Sequence, residues 1–145
     1  MRFPWKNELV ADDRVKRVGV SNFDVPLLRR SMELCATPVI TNQVHYNLLH
    51  REPETNGMLD FCQREGVILT AYSPLKNDVL THPVVARIAA HHGVTPAQIA
   101  INWLVRQPYV ITIPKSSDIE HAQENLDALQ VNLSDDDVAQ LNRIG

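Results

Sequence analysis

Cysteine is scarce in this chain: only Cys35 and Cys62 occur among 145 residues. They form no CxxC pair, and each falls in an apolar helical pattern, the usual setting of a buried free thiol. No metal centre is expected either, because His91 and His92 project about 100° apart on a helix and no Cys or carboxylate stands at ligand spacing. Long apolar runs are missing. Nothing approaches the ~18 residues that span a bilayer, and the opening stretch lacks the apolar core of a signal peptide, so a cytoplasmic protein with no membrane partner is expected. Positive charge is not in excess: 14 Lys and Arg stand against 17 Asp and Glu, the net charge is -3, and the basic residues are scattered. That distribution offers no stripe for a phosphate backbone and excludes nucleic acid as an expected partner. The one sequon, Asn132-Leu133-Ser134, reads better as the approach to a helix cap at Ser134.

Repeats, low-complexity tracts and Pro/Gly/Ser linkers are absent as well, which leaves residues 1–145 as a single domain. With 44% hydrophobic and 21% charged residues the chain has enough apolar material for a sizeable core. Short β-branched runs alternate with longer runs at helical spacing, the pattern of βα units that build a parallel sheet. Val15–Ser21 reads as a strand, followed by a helix capped by Asp24 with Leu27, Leu28, Met32 and Cys35 on one face. Val39–His45 reads as the second strand, followed after a loop by a helix with Met58, Leu59 and Cys62 inward and Gly66 as its left-handed stop.

Residues 67–72 form the third predicted strand, and the helix around Val84, Val85, Ile88 and Ala89 ends at Gly93. Thr95-Pro96-Ala97-Gln98 then combines a capping hydroxyl, a first-turn proline and a Gln three residues on, and introduces a helix burying Ile99, Ala100, Trp103 and Leu104. Tyr109–Pro114 reads as the fourth strand. Ser117 and Glu120 suggest a capping box for a helix with Ile119, Ala122 and Leu126 inward. Ser134 followed by three aspartates opens a last helix carrying Val138, Leu141 and Ile144, with the acids on the positive end of its dipole. Periodicity leaves open whether four such units make a small open sheet or half of a closed barrel.

The strand ends carry more information. Gly19-Val20-Ser21-Asn22-Phe23, Asn42-Gln43-Val44, Ala71-Tyr72-Ser73-Pro74-Leu75 and Ile113-Pro114-Lys115-Ser116, with Glu124-Asn125-Leu126 behind, resemble the C-terminal half of the aldo-keto reductase family. The similarity runs from about residue 8 to 145 and includes Thr95–Gln98, Trp103-Leu104 and Leu133–Asp135. It implies an α/β fold: the C-terminal half of a (β/α)8 TIM barrel, four parallel strands with flanking helices. The full barrel typically needs ~250 residues. The family also implies that Met1–Asn7 stands where its members have the helix before strand five, so that the chain begins inside a helix.

Every one of these motifs falls at a carboxyl end of a strand, the rim where parallel βα architectures place their sites. Tyr72 offers a flat ring for stacking, and Ser21, Asn22 and Gln43 offer a hydroxyl and two amides. The resemblance implies that Tyr72 stacks on a nicotinamide and that the other three bind its carboxamide. Lys115 and Ser116 precede a helix N-terminus, where a cation, a hydroxyl and unpaired N–H groups favour a phosphate. By resemblance that phosphate is the 2′-phosphate of NADP. Glu124 and Asn125 match the adenine-contacting pair, and Ser73 and Leu75 the loop along the pyrophosphate. His121 replaces the Arg that many NADP-preferring members carry, so NAD is not excluded as cofactor.

No residue matches the family's catalytic Asp, Tyr, Lys and His, which come from its N-terminal half. Tyr46 and Tyr109 read as packing or surface residues. His45 stands where many members carry Glu, at a strand end within reach of the rim. The resemblance thus implies NAD(P)H-dependent reduction of aldehydes or ketones, a small-molecule carbonyl substrate, and a chain that supplies the cofactor half. A non-catalytic nucleotide-binding or regulatory half-barrel, and a truncated remnant, stand beside it as alternatives. Unpaired first and last strands would invite a second polypeptide or a second copy to complete the barrel.

Overall fold

The computed structural model describes residues 15–145. The expectation for Met1–Asn7 therefore lies outside the described residues. Four strands, β1 (Val18–Ser21), β2 (Val39–His45), β3 (Ile68–Tyr72) and β4 (Val110–Thr112), form one sheet in chain order, and each neighbouring pair is parallel. The connections are helical: α1 (Val25–Leu34) follows β1, α2 (Glu52–Thr55) and α3 (Met58–Glu65) follow β2, and α4 (Pro83–His92) and α5 (Pro96–Val105) follow β3. After β4 come α6 (Ile119–Asp127) and α7 (Asp135–Leu141). The expected βα order is present in full. Among the described residues β1 and β4 end the sheet, so each has one edge with no strand paired to it.

Register and side-chain alternation divide the sheet into two faces. Val20, Asn42, Leu69 and Val110 lie side by side and are buried beneath the helices. Ser21, Gln43, Thr70 and Ile111 form the matching row on the opposite face, where Ile111 is 47% exposed. Gly19 also belongs to that face. A Cβ there would sit 2.6 Å from Thr41 Cγ2, so the close approach of β1 to β2 needs a residue without a side chain.

Helix ends follow local chemistry. Asp24 Oδ1 accepts from Leu27 N at 2.8 Å, and Thr95 with Gln98 and Ser134 with Asp137 form reciprocal capping boxes. Gly66 and Gly93 close α3 and α4 at φ of 69° and 65°, left-handed conformations that an L side chain resists. Helix α5 is the centre of the core. Its Ile99, Ala100, Ile101, Trp103 and Leu104 are all buried, and Asn102 Nδ2 donates to the Ala128 and Val131 carbonyls at 2.9 Å each. None of the helices among the described residues is long and apolar enough to cross a membrane.

Several sequence expectations need correction. On α1, Leu28 and Ser31 are buried while Leu27 is 42% exposed, so the buried stripe is narrower than the apolar pattern. In α3 Phe61 joins Met58 and Cys62 in the core, and Leu59 is only partly covered. Strand β1 starts at Val18 rather than Val15, and β4 shrinks to three residues because Tyr109 adopts φ 58°. The cap of α6 is Asp118, not Ser117 with Glu120: its Oδ1 accepts from Glu120 N at 2.8 Å and His121 N at 3.2 Å. Ile119 and Leu126 are 87% and 64% exposed, and Ala122 is exposed too. The reason lies in position: α6 flanks the edge strand β4, and among the described residues its apolar stripe has no further βα unit to pack against.

Candidate functional site

All four strands point their carboxyl ends at one rim. Asn22, just beyond β1, adopts φ 55°, donates its backbone N–H to Gln43 O at 2.9 Å, and stands beside Ser21, whose Oγ donates to the same carbonyl at 3.0 Å. Asn42 anchors the turn from beneath: its Nδ2 donates to Phe23 O at 3.0 Å and its Oδ1 accepts from Phe23 N at 3.4 Å. Tyr72 reaches across the end of β2 from β3, and its Oη donates to Asn22 Oδ1 at 3.3 Å. Ser21, Asn22, Gln43 and Tyr72 are thereby brought together. Asn22 and Tyr72 also line a cleft of about 340 Å³ with His45, His50 and Glu52, among others, to which Ser21 and Gln43 do not contribute.

His45 does reach the rim. Its ring stacks on His50 at 3.9 Å and 16° and on Tyr72 at 5.4 Å and 9°. Burial pushes the His45 imidazole below its ordinary value, and nearby His50 and Lys76 add to that direction. Behind the stack lies Asn47, fully buried and invisible to motif reading. Its Oδ1 accepts from Leu49 N and His50 N at 2.9 and 2.8 Å, while its Nδ2 donates to Ser73 O at 2.9 Å and lies 3.4 Å from His45 Nε2. One amide thus ties the exit of β2 to the exit of β3. In the sequence Asn47 is only a turn-favouring residue two positions beyond the strand, and nothing there shows these bonds.

From Tyr72 the site continues along the rim. Ser73, at φ 55°, and Leu75 line a recess of about 320 Å³ with Pro114 and Lys115. Leu75 and Lys115 also line the next cleft, of about 370 Å³, with Ser116, His121, Glu124 and Asn125 on one wall and Thr95, Pro96 and Ala97 on the other. Ser21, Asn22, Gln43 and Tyr72 therefore occupy one end of an elongated track, Ser73 and Leu75 its middle, and Lys115, Ser116, His121, Glu124 and Asn125 its far end. The N–H groups of Glu120 and His121 are already taken by Asp118, and Ser116 Oγ is bonded to Asp118 backbone atoms, so these three groups are engaged within the α6 terminus itself. Lys115, exposed at the mouth, is the cation that remains there.

Residues set aside as structural are placed accordingly. Tyr46 is fully buried, donates to Glu54 Oε1 at 2.5 Å and packs 2.9 Å from Gln107 Oε1. Burial and the Glu54 carboxylate raise its phenol far above the usual range, which suits a fixed donor and not a proton source. Tyr109 is exposed at the opposite end of β4. His92 pairs with Asp137 at 2.9 Å, and no cluster suited to a metal ion occurs among the described residues.

Comparison with known proteins places this fold in a family. The model of the aldo/keto reductase family matches residues 7–145. Methylglyoxal reductase YeaE of Escherichia coli (strain K12) is 35% identical over 94% of this chain and 50% of its own length. A thermostable aldo-keto reductase crystallised with the inhibitor epalrestat superimposes with a TM-score of 0.89 at 39% identity, over 95% of this chain and 52% of that one. An aldo/keto reductase from Klebsiella pneumoniae, crystallised with NADP and acetate, gives a TM-score of 0.84 at 34% identity, over 94% and 50%. The chain spans about half the length of the relatives it matches, as a half-barrel of four βα units must. With its sheet, its rim and its sequence in agreement across nearly the whole chain, this protein belongs to the aldo/keto reductase family.

Proposed function

We propose that the chain forms the cofactor-holding half of an NAD(P)H-dependent carbonyl reductase acting on aldehydes or ketones. The observation that carries this reading is the succession of recesses along one rim, with a planar ring and amides at Tyr72, then the recess at Ser73 and Leu75, which shares Leu75 and Lys115 with the cleft at Asn125. The residues fit a nicotinamide dinucleotide. Asn22 Nδ2 and the Gln43 side-chain amide have no partner among the described residues and so are available to a carboxamide, which both donates and accepts. Tyr72 is held by Asn22 at one end and backed by His45, which orients its ring for stacking. Ser73 and Leu75 would flank the pyrophosphate, and Lys115 would face the 2′-phosphate. Bound there, the cofactor supplies a hydride.

What these residues do is bind and orient. The proton for the carbonyl oxygen comes from elsewhere, since Tyr46 is locked in the core and Tyr109 lies away from the rim. A different polypeptide at the sheet edges would complete the barrel and provide that acid, whereas a second copy could cover those edges but carries the same residues. Without such a polypeptide, the same geometry describes a nucleotide-binding module, or a truncated remnant, and the free thiols fit a cytoplasmic setting. Calorimetric titration of the purified chain with NADPH and NADH tests the reading. Saturable binding is expected, and Lys115→Ala should weaken NADPH by about tenfold while changing NADH little. Folded chain that binds neither overturns it.

A further inference from the structure

The rim carries a feature that neither the motifs nor the track require: three aromatic rings in one stack, His50 on His45 on Tyr72. Two of the three are imidazoles that can carry positive charge, and Tyr72 is the ring on which the proposed nicotinamide would lie. His45 occupies one side of Tyr72, so a stacked nicotinamide takes the other, and the four rings form one column. The nicotinamide is a cation when oxidised and neutral when reduced. Charge on the far side of Tyr72 therefore acts on only one of the two forms.

We infer that the His45–His50 pair sets the discrimination between oxidised and reduced cofactor, a positioning pair whose imidazolium charge disfavours the nicotinamide cation through Tyr72. The inference rests on the proposed cofactor reading. Its support is geometric. The His45 ring is parallel to Tyr72 within 9°, and its Nε2 lies 3.4 Å from Asn47 Nδ2, which fixes the ring against the β2 exit. Adding a stacking distance to the 5.4 Å between His45 and Tyr72 places the cation about 9 Å from the imidazole, close enough for a half-buried charge to be felt.

The surrounding charges are few. Lys76, from the β3–α4 loop, adds to the positive field, and burial favours neutral His45. Glu52 of α2 lies 3.7 Å from His50 Nε2 and would pair with its protonated ring, and Asp24, the cap of α1, lines the same cleft. These carboxylates oppose the effect without cancelling it, because Glu52 is 68% exposed and screened. Charge on the stack appears on acidification, so the oxidised form should lose affinity relative to the reduced form as the pH falls.

The test is the ratio of dissociation constants for NADP+ and NADPH, measured by calorimetry on the chain between pH 8 and pH 5.5. Ionisation of the 2′-phosphate is common to both forms and cancels in the ratio. In the unaltered chain the ratio should rise by about three- to tenfold on acidification. His45→Gln and His50→Gln should each reduce the rise, the double variant should abolish it, and His45→Glu should lower the ratio at pH 8. A merely structural role would change both constants together and leave the ratio alone. A ratio independent of pH in the unaltered chain, or a rise that persists in the double variant, overturns the inference. His50, on a loop outside the sheet, serves as the independent probe if replacement of His45 impairs folding. Absence of binding by either form overturns the cofactor reading and this inference with it, whereas equal, pH-independent ratios leave that reading standing.

Discussion

Tyr72 illustrates how much a single side chain can depend on its supports. Its position at the end of β3 puts the ring at the rim, but the Oη bond to Asn22 and the parallel His45 ring determine how it lies there. Tyr72→Ala should weaken cofactor binding by about 1–2 kcal/mol through lost stacking, whereas Tyr72→Phe, which keeps the ring, should cost less. Equal losses in calorimetry would show that the hydroxyl, not the ring, matters. A second residue, Asp137, makes a separate pH prediction. The Ser134 hydroxyl bond holds its carboxyl down to about 2, with His92 and the Ser134 backbone N–H helping against burial. A carboxyl depressed on folding contributes its stability above its unfolded value and loses it as the pH falls towards its folded one. Asp137→Asn should therefore cost about 1–2 kcal/mol at pH 7 and flatten the acid loss between about pH 4 and pH 2, read from urea melts across that range.

At the scale of elements, α6 is where local sequence and surroundings part company. Ile119 and Leu126 have helical spacing and would ordinarily be read as a core stripe, yet both are exposed, and among the described residues no strand lies beyond β4. Its cap moves from Ser117 to Asp118, since the carboxylate one residue later reaches two N–H groups at once. Asp118→Ser keeps a cap and removes the negative charge near Lys115. NADPH affinity should then rise by about two- to threefold in calorimetry with the helix content unchanged by circular dichroism. Helices capped in their own sequence, such as α5 at Thr95 and α7 at Ser134, could be read from the chain because cap and partner are three residues apart. Asn47 could not, since it joins segments 26 residues apart in sequence. The rim motifs were legible as types at strand ends; the stacking of His45 and the bonds within the α6 terminus needed coordinates.

For the whole molecule, exposed apolar surface is unevenly distributed. Tyr109, Ile111, Ile113, Ile119, Leu126 and Leu129 are all at least 47% exposed and all belong to β4 or to the segments flanking it. A groove of about 440 Å³ runs along this side between α5 and α6, lined by Ile101, Val105, Leu126 and Leu129 among others. An unpaired strand beside such a surface favours association. The chain should therefore self-associate at micromolar concentration, and the double variant Leu126→Glu, Leu129→Glu should shift light scattering towards the monomer without lowering the melting temperature. A monomeric unaltered chain would mean that this face is covered only by a different polypeptide.

The order of the strands has one further consequence. Because the sheet runs β1-β2-β3-β4 as the chain does, every pairing joins strands consecutive in sequence, with partners from 21 residues apart at Val18 and Val39 to 41 apart at Leu69 and Val110. Such a sheet can assemble strand by strand from its N-terminal side as the polypeptide leaves the ribosome, each unit serving as the template for the next. The rim residues, drawn from all four units, come together only when β4 docks. The fourth unit, which brings Lys115, Glu124 and Asn125, is therefore the one that completes the rim.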